Sequence, residues 1–511
     1  MIHFVGAGPG DAGLVTVRGR ECLEGADVVV HDPQVPAAVL RYAREGAELI
    51  NVGHASPAND AQAAVSYLLA EKAREGKTVV RLKWGDPFIF EHGAEEALFL
   101  HEQRVPYEVV PGVPASIAVP AYAGVPVTYP GGGDTVTLVR GYEDDARSLP
   151  HIDWAALARL DGTVLCYLTS QQLARVLDAM MAAGWPTDSR AMFVCNGTLP
   201  SQETLSGTLE ELRDMAQHQP RRTPGLLMAG RVVNFREHLR WFDTRPLFGR
   251  RVLITRPRAQ ATELAARLAA LGAEPVEAPM IRIVPPEDAA PLRQAAGEPE
   301  AYDWIIFASS NAAEAFMAAL LEGQRDVRSL KGPLLCAVGS GTAETLARHG
   351  IKVDLVPDEF RAEGIVAALA PLGSLDGARV LLPKADIGRD VIADALRERG
   401  AQVTEVIAYR TVLDDAQGEG EPDVYGMLLQ GRIDVVTFTS PSAVRNFARV
   451  YGEEQVADLL KHTVVATIGP VTTEAVRQIG AGVAVEPRIH TIPALVDAIA
   501  AHFASAKPVG G

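Results

Sequence analysis

Short apolar runs alternate with longer amphipathic stretches along the whole chain. Runs such as TVVRL at 78–82 and RVLIT at 251–255 contain many β-branched residues, which favour strands. The stretches between such runs repeat Ala, Leu, Arg and Glu with a helical period. Because strands that alternate with helices usually pair in parallel, the pattern predicts an α/β fold with largely parallel sheets.

The alternation is interrupted once near the middle of the chain. The segment RPLFGR at 245–250 breaks the pattern, and a new apolar run follows it immediately. The length of 511 residues also exceeds the roughly 250 residues that a single core usually supports. The sequence therefore predicts two modules, residues 1–245 and residues 250–505.

The second module contains an internal duplication. Three pairs of segments resemble each other at nearly the same offset: RVLIT from Arg251 and RVLLP from Arg379, FASSNAAEAF from Phe307 and FTSPSAVRNF from Phe438, and LCAVGSGTAETLARHG from Leu335 and VATIGPVTTEAVRQIG from Val465. A repeat at constant spacing indicates repeated structural units. We therefore expect two similar α/β lobes that face each other across a cleft.

Serines follow predicted strands in both copies of the duplication. Ser309 and Ser310 lie at such a turn in one copy, and Ser440 and Ser442 lie at the matching turn in the other. Helix N-termini present unpaired N–H groups and favour anions, although each serine is equally suited to a simple N-cap. Several such turns in one cleft predict a polyanion site built from amides and hydroxyls.

Composition narrows the classes of function. Hydrophobic residues make up 48% of the chain and charged residues 22%, as in folded globular proteins. The formal net charge of −16 argues against nucleic acid as a partner, because such binding needs a cationic surface. No apolar run reaches the roughly 18 residues of a membrane span, and the N-terminus has no signal-peptide pattern. We expect a cytoplasmic protein that does not bind membranes.

The cysteines give no sign of a metal site. Cys22, Cys166, Cys195 and Cys336 stand alone in apolar segments and show no CxxC spacing. Isolated cysteines of this kind are usually buried reduced thiols. The sequence therefore predicts no bound metal and no disulfide.

A glycine-rich loop follows the first predicted strand. GAGPGD at 6–11 differs from a dinucleotide-binding fingerprint, because Asp11 stands where the third glycine is required and Pro9 removes a backbone donor. LKWGDPFIF at 82–90 and VPGVPAS at 110–116 form two further loops at predicted strand ends. The first module thus has three such loops in order.

Four motifs of the first module occur together in a fixed order: GAGPGD, GDPFIF with a following Glu95-Glu96, PGV with PAYAGVPVT, and NGTLPSQ at 196–202. As a set they resemble the uroporphyrinogen-III C-methyltransferases of the precorrin methylase family over nearly all of residues 1–245. The resemblance implies two α/β lobes, about 1–128 and 134–245, with S-adenosylmethionine between them. It places cofactor contacts at nine positions: Pro9, Trp84, Gly85, Asp86, Ile89, Pro114, Ala115, Leu168 and Gly197.

The resemblance also matches Asp32 to the family's candidate general base, which would remove a proton during methyl transfer. Five positions that are cationic in the family are neutral or weakly basic here, as in DPQV at 32–35 and EHGAEE at 91–96, and Trp84 replaces a glycine. Arginine is the residue that pairs carboxylates bidentately, and uroporphyrinogen carries eight of them. Two alternatives stay open, an altered methyltransferase and a catalytically silent domain that binds S-adenosylmethionine.

The duplicated module resembles uroporphyrinogen-III synthase from VLITRP at 252–257 through TIGPVTTEAV at 467–476. Enzymes of that family cyclise the linear tetrapyrrole hydroxymethylbilane and invert its last pyrrole ring without a cofactor. The resemblance implies one lobe formed by about 250–282 plus 412–505 and a second lobe of about 286–408.

Three polar residues of this module match positions that the family keeps in its cleft. They are Thr342, Tyr409 and Thr472, and the serine turns face them. Tyr409 is our candidate for protonating the hydroxyl group that leaves the substrate, although a tyrosine at a strand end often serves packing alone. Such an enzyme must also fix the conformation of its substrate and bind the carboxylates of that substrate.

Together the resemblances imply a bifunctional enzyme of tetrapyrrole biosynthesis, as in the routes to siroheme and cobalamin. The second module would make uroporphyrinogen III, and the first would methylate it from S-adenosylmethionine toward precorrin-2. The alternatives are an active synthase with a silent or retargeted methylase-like domain, and a non-enzymatic tetrapyrrole or nucleotide sensor. Small tetrapyrroles are the implied substrates, and the methylase family is typically homodimeric.

Overall fold

The computed structural model describes residues 1–53, 59–141, 152–217, 223–323, 325–357, 362–369, 371, 375–386, 391–413 and 422–506. The chain divides into two units, one of Met1–Val252, Ala266–Pro275 and Ile499–Gly511 and the other of Leu253–Ala265 and Val276–Ala498. Four mixed or parallel sheets flanked by helices confirm the predicted α/β class.

The first sheet of the N-terminal unit is entirely parallel, with strand order β3-β2-β4-β1-β5. Its strands are β1 Ile2–Gly6, β2 Val28–His31, β3 Glu48–Asn51, β4 Val79–Lys83 and β5 Tyr107–Val110. The helices that connect them are α1 Val17–Glu24, α2 Ala37–Leu40, α3 Asn59–Arg74, α4 Gly93–Glu102 and α5 Ala115–Tyr122. Successive residues of β1 pack into the cores on opposite faces of the sheet: Phe4 into one and Val5 into the other. The two-residue period of a strand requires this alternation.

The second sheet of this unit has strand order β6-β7-β10-β8-β9. Its strands are β6 Thr135–Arg140, β7 Gly162–Thr169, β8 Arg190–Cys195, β9 Glu203–Thr208 and β10 Pro224–Ala229, with helices α6 Trp154–Arg159, α7 Ser170–Ala182, α8 Leu209–Gln217 and α9 Arg236–Leu239. Only β6 and β7 pair in parallel, whereas β10 pairs antiparallel with β7 and β8, and β8 with β9. The short segment 196–202 can join β8 to β9 only because those strands run antiparallel.

Two further sheets are formed by residues 251–467. One has strand order β12-β11-β18-β19 and the other β13-β17-β16-β14-β15. The strands are β11 Arg251–Ile254, β12 Glu274–Glu277, β13 Ile281–Val284, β14 Trp304–Phe307, β15 Leu334–Ala337, β16 Arg379–Ala385, β17 Gln402–Leu413, β18 Val435–Phe438 and β19 Val464–Thr467. The helices are α10 Arg258–Ala270, α11 Ala290–Gly297, α12 Ser310–Glu322, α13 Ser340–Arg348, α14 Ala362–Leu369, α15 Val391–Arg397, α16 Val424–Leu429, α17 Pro441–Tyr451, α18 Val456–Leu459, α19 Pro470–Gln478 and α20 Ile492–Ala506.

The duplication seen in the sequence is repeated in the pairing of the strands. β14 pairs in parallel with β15, and β18 pairs in parallel with β19. In each copy the last strand then forms one isolated bridge to a later residue, Cys336 to Leu355 and Ala466 to Val485. The two copies therefore share the order strand, helix, strand, helix and bridge.

The N-terminal unit includes two segments that the sequence places in the second module, Ala266–Pro275 and Ile499–Gly511. The amide of Leu247 donates to the carbonyl of Leu271 at 3.0 Å. The guanidinium of Arg250 lies 4.6 Å from the ring centre of Phe503. These contacts attach the segment before β11 to both of them.

The cysteines are as the sequence predicts, because Cys22, Cys166, Cys195 and Cys336 are buried free thiols. Burial raises the pKa of the Cys166 and Cys336 thiols to about 12. Among the residues described, no group of three or more His, Cys, Asp or Glu is arranged to hold a metal ion. None of the helices in that part of the chain is long and apolar enough to span a membrane.

Candidate functional sites

The loops after β1 and β4 are joined by backbone hydrogen bonds. The amide of Gly8 donates to the carbonyl of Gly85 at 3.2 Å, and the amide of Gly85 donates to the carbonyl of Gly8 at 2.9 Å. Both glycines have positive φ, +74° and +71°, a conformation that glycine adopts without strain. Two of the three loops thus form one layer at the end of the sheet.

The third loop, after β5, is held to this layer by a carboxylate. Asp86 accepts hydrogen bonds from the amides of Gly112 at 3.0 Å and Phe88 at 2.9 Å. A Cβ on Gly112 would overlap the carbonyl oxygen of Gly85 and would lie 2.7 Å from the Cα of Gly6. The close approach of the three backbones therefore requires glycine at position 112.

The second lobe of this unit contacts the same loops. The hydroxyl of Tyr167 on β7 accepts from the amide of Ser116 at 2.9 Å. The Thr198 hydroxyl accepts from the amide of Asp11 at 3.0 Å. A Cβ on Gly197 would lie 2.5 Å from Val119 of α5. Residues 9, 84–89, 114–115, 168 and 197 are thus on segments that meet between the two lobes.

The nine positions that the resemblance assigns to S-adenosylmethionine lie on these meeting segments. Pro9 and Trp84 contact each other, because the Trp84 indole N–H donates to the Pro9 carbonyl at 3.1 Å. Ile89 closes the turn begun by Asp86, and Pro114 and Ala115 start α5. The remaining positions are Gly85 in the loop layer, Leu168 beside Tyr167 and Gly197 beside Thr198.

The lining of this cleft suits a ligand that is held mainly by main-chain groups. Glycines permit close approach of the backbone, and the first turn of α5 contains no acidic residue. The hydroxyl oxygen of Ser116 is buried and has no hydrogen-bond partner within the described residues. A buried hydroxyl in that state is costly unless a ligand or water pairs it, so the residues present fit such a cofactor.

Asp32 lies directly after β2, at the edge of this cleft. One of its oxygens is 2.6 Å from Nη2 of Arg81, and the other accepts from the amide of Trp84 at 3.1 Å. Burial alone would raise the pKa of Asp32, but the charges of Arg81 and Lys83 outweigh it and lower that pKa. Asp32 is therefore a stably ionised carboxylate whose two oxygens are both engaged.

Asp32 belongs to a cluster that sequence reasoning missed. We call the set of Asp32, Arg81, Lys83, Glu91 and Glu96 the buried charge cluster. Arg81 contacts Glu96 through Nε at 3.0 Å and Nη2 at 3.2 Å. Lys83 lies 3.5 Å from Glu96, 3.7 Å from Glu91 and 3.9 Å from Asp32. The available signal was the presence of two cations in an otherwise apolar strand, VVRLK at 79–83.

In the C-terminal unit, the structure brings Tyr409 and Ser309 together. The two hydroxyl oxygens are 3.3 Å apart. Ser309 is also the N-cap of α12, where its hydroxyl accepts from the amide of Ala312 at 3.2 Å. Ser310 is the first residue of that helix and is half-buried. Ser309 therefore both caps α12 and contacts the Tyr409 hydroxyl.

The matching turn before α17 has the same design. Ser440 is the N-cap, and its hydroxyl accepts from the amide of Ala443 at 3.2 Å. The hydroxyls of Ser440 and Ser442 are 3.0 Å apart, and Ser442 is exposed. The turn thus carries two neighbouring hydroxyls at the N-terminus of α17.

Thr342 and Thr472 are both buried in the first turns of their helices, α13 and α19. The Thr342 hydroxyl donates to the carbonyl of Val338 at 3.4 Å. The neighbouring Thr473 hydroxyl contacts Thr467 at 2.6 Å and also contacts Glu486. Both copies thus place buried threonines beneath the turn that follows the second strand.

Comparison with known proteins agrees with the division into two modules. Residues 1–213 match the family model described as Tetrapyrrole (Corrin/Porphyrin) Methylases. Residues 262–497 match the family model described as Uroporphyrinogen-III synthase HemD.

Curated relatives cover one or both modules. "Porphyrin biosynthesis protein HemD" of Ruminiclostridium josui is 34% identical over 448 residues, which make up 88% of each chain. "Uroporphyrinogen-III C-methyltransferase" of Bacillus subtilis is 32% identical over 70% of this chain and 74% of its own. "S-adenosyl-L-methionine-dependent uroporphyrinogen III methyltransferase" of Methanosarcina barkeri is 37% identical over 47% of this chain and 94% of its own. The chain therefore belongs to the family of tetrapyrrole-biosynthesis enzymes in which a tetrapyrrole methylase module precedes a uroporphyrinogen-III synthase module.

Proposed function

We propose that this chain catalyses two consecutive steps of tetrapyrrole biosynthesis. The C-terminal module cyclises hydroxymethylbilane to uroporphyrinogen III, and the N-terminal module methylates that product from S-adenosylmethionine toward precorrin-2. The observation that carries the proposal is the meeting of three glycine-rich loops with the second lobe through Tyr167 and Thr198. The names of the relatives from Bacillus subtilis and Methanosarcina barkeri support the same reaction.

In the methylase module the chain itself provides orientation. When bound, S-adenosylmethionine supplies an electrophilic methyl group on a sulfonium. Asp86 fixes two loops against each other, and Tyr167 and Thr198 join the second lobe to them. A site held in this way aligns donor and acceptor and limits the access of water, which favours transfer to carbon.

In the synthase module Tyr409 protonates the hydroxyl group of hydroxymethylbilane, which leaves as water while a pyrrole nitrogen supplies electrons to the remaining carbon. Ser309 orients the Tyr409 hydroxyl through the 3.3 Å contact. The serine turns before α12 and α17 bind carboxylates of the substrate through helix N–H groups. The geometry of the bound chain then decides which pyrrole carbon closes the ring.

A second function for the methylase module is binding of S-adenosylmethionine without catalysis. Two observations favour it. Trp84 stands where the family has a glycine and lies against Pro9. His92 stands where the family has an arginine, and its Nδ1 is 2.9 Å from a carboxylate oxygen of Glu95, so this ring nitrogen already has a partner within the chain. Both features reduce the space and the positive charge available to bind the carboxylates of uroporphyrinogen.

Supplying the full-length chain with fresh hydroxymethylbilane, with and without S-adenosylmethionine, tests both functions. Products are oxidised and resolved by chromatography and mass. We expect type III uroporphyrin without the cofactor and methylated products with it. Type III uroporphyrin alone in both samples would favour the silent methylase, and type I uroporphyrin alone would contradict the synthase.

Replacing Tyr409 by phenylalanine is expected to slow formation of uroporphyrinogen III by at least about tenfold, because loss of a proton donor usually costs roughly 10²–10⁴ in rate. The rate is measured by trapping the type III product at intervals. Tyr425→Phe, an exposed tyrosine on α16, is the matched control and should leave the rate unchanged. Equal rates for both variants would remove Tyr409 from the mechanism.

The proposal includes a homodimer formed through the methylase module, no binding of nucleic acid or membranes, no cofactor for the synthase, and a cytoplasmic location. The buried free thiols at all four cysteines are compatible with a reducing compartment. Sedimentation analysis of the purified chain measures its oligomeric state.

A further inference from the structure

The buried charge cluster contains three carboxylates, Asp32, Glu91 and Glu96, and two cations, Arg81 and Lys83. Its side chains are largely removed from water: the exposed fractions are 0% for Glu96, 2% for Lys83, 3% for Arg81, 11% for Asp32 and 26% for Glu91. If every group is ionised, the cluster has one negative charge in excess. An uncompensated charge in such surroundings is costly, so the cluster has a place for one proton.

The contacts within the cluster identify the carboxylate that takes this proton. Glu96 receives two hydrogen bonds from Arg81, and Asp32 is paired with Arg81 and with the amide of Trp84. Glu91 lies 3.7 Å from Lys83, a cation that it shares with the other two carboxylates. Glu91 is therefore the carboxylate whose negative charge is least compensated.

The electrostatic surroundings agree with this ranking. Burial raises the pKa of Glu91 to about 7, and the negative charge of Asp32 adds to the effect, whereas Lys83, His92 and Arg81 oppose it. His92, the N-cap of α4, is itself paired with Glu95, and Glu96 on that helix adds a further negative charge within the cluster. Glu91 is thus poised between its two protonation states near neutral pH.

The residue before Glu91 contacts the second lobe of the unit. The preceding residue, Phe90, has a positive φ of 56°, and its ring centre is 5.3 Å from that of Tyr167 on the second sheet. Burial is the main reason that the pKa of Tyr167 is raised, and the charges of Asp86 and Glu91 contribute to it. Glu91 is therefore within electrostatic reach of Asp32 on one side and of Tyr167 on the other.

We infer that Glu91 is the proton acceptor of the methylase site and that Asp32 is a fixed anion that positions Arg81 and the Trp84 amide. This inference rests on the proposed methyl transfer. As the substrate carbon bonds to the methyl group, the methyl–sulfur bond breaks and its electron pair stays on sulfur. A neighbouring C–H or N–H bond of the substrate then gives its proton to a Glu91 oxygen, and its electron pair returns to the ring.

The contacts within the cluster favour Glu91 over Asp32 as the acceptor. Uptake of the proton also neutralises the excess charge of the cluster, so the product state is favoured electrostatically. Asp32 is a poor acceptor by comparison, because a carboxylate held ionised by cations has little affinity for a proton.

Glu91→Gln in the full-length chain tests the inference, with Glu102→Gln at the exposed end of α4 as the matched control. The rate of methyl transfer to uroporphyrinogen III is measured from pH 5.5 to 9, and binding of S-adenosylmethionine is measured by calorimetry. We expect the unchanged chain and Glu102→Gln to lose rate about tenfold per pH unit below about pH 7. We expect Glu91→Gln to bind S-adenosylmethionine equally well but to transfer methyl at least about tenfold more slowly at pH 8. Its rate should also lack the decrease below about pH 7.

Thermal unfolding provides a readout that is independent of activity. The pKa of Glu91 is raised from 4.5 in the unfolded chain to about 7 in the folded chain. Its contribution to stability is therefore full below about pH 4.5 and is lost as the pH rises through 7. We expect Glu91→Gln to gain in Tm relative to the unchanged chain between pH 5 and 8, and Glu102→Gln to show no such gain.

The outcomes separate the inference from the proposed function. A Glu91→Gln chain that keeps the full rate, and whose rate still decreases below about pH 7, would overturn the role of Glu91 while leaving methyl transfer established. A Tm difference that does not change with pH would also overturn it. Absence of methyl transfer by the unchanged chain at every pH would overturn the proposed methylation, and the role of Glu91 with it.

Discussion

Replacing Arg81 by methionine is expected to lower the free energy of unfolding of the N-terminal unit by about 3–5 kcal/mol. The substitution keeps the length and apolar stem of the side chain but removes its charge. It leaves Glu96, which has no exposed surface, and Asp32 with Lys83 as the remaining cation of the cluster. Chemical unfolding followed by tryptophan fluorescence measures the change.

The matched control for Arg81→Met is Arg74→Met on α3. Arg74 is exposed and donates to Gln103 at 2.9 Å, so its loss should cost no more than about 0.5 kcal/mol. The double variant Arg81→Met with Glu96→Leu should recover much of the loss, because an apolar pair can replace a buried ion pair at little cost. A single Arg81→Met variant as stable as the control would show that the cluster is not a source of stability.

Gly112→Ala is expected to destabilise the N-terminal unit by about 3 kcal/mol, at the upper end of the cost of overpacking, and to weaken binding of S-adenosylmethionine at least about tenfold. The new Cβ overlaps the carbonyl oxygen of Gly85 and lies 2.7 Å from the Cα of Gly6. Backbone atoms cannot rotate away as a side chain does, so the loops after β1, β4 and β5 must separate. Calorimetry measures the affinity, and chemical unfolding measures the stability.

Gly25→Ala separates this effect from the general cost of adding a methyl group. Gly25 ends α1 in the same lobe, with a helical backbone, and the atom nearest to its added Cβ is the carbonyl oxygen of Glu21 at 3.5 Å. We expect its stability and affinity to stay within experimental error of the unchanged chain. If Gly112→Ala behaved in the same way, the three loops would not need their close contact to bind the cofactor.

The sequence predicted the α/β class and the position of the three loops well, because both depend on local patterns. Apolar β-branched runs define β1 and β4, and glycine marks Gly8 and Gly85, where the backbone has positive φ. The antiparallel pairing of β10 with β7 and β8 was not foreseen. An apolar run specifies a strand but not the direction of its neighbour.

Contacts between distant residues were beyond the sequence. Tyr409 and Ser309 are separated by 100 positions, and only folding brings their hydroxyls together. The buried charge cluster was missed for a related reason, since Arg81 and Lys83 resemble solvent-exposed positions of a strand until Glu96 of α4 covers them. The roles of Asp32 and of the nine cofactor positions stay predictions that the proposed experiments test.

The reciprocal hydrogen bonds between Gly8 and Gly85 have a consequence for the kinetics of ligand binding. They are contacts within the protein itself, and they tie the two loops to each other. A preorganised site loses little conformational entropy when it is filled, and it has no slow loop closure to complete. Association with S-adenosylmethionine should therefore occur in a single phase whose observed rate rises linearly with ligand concentration.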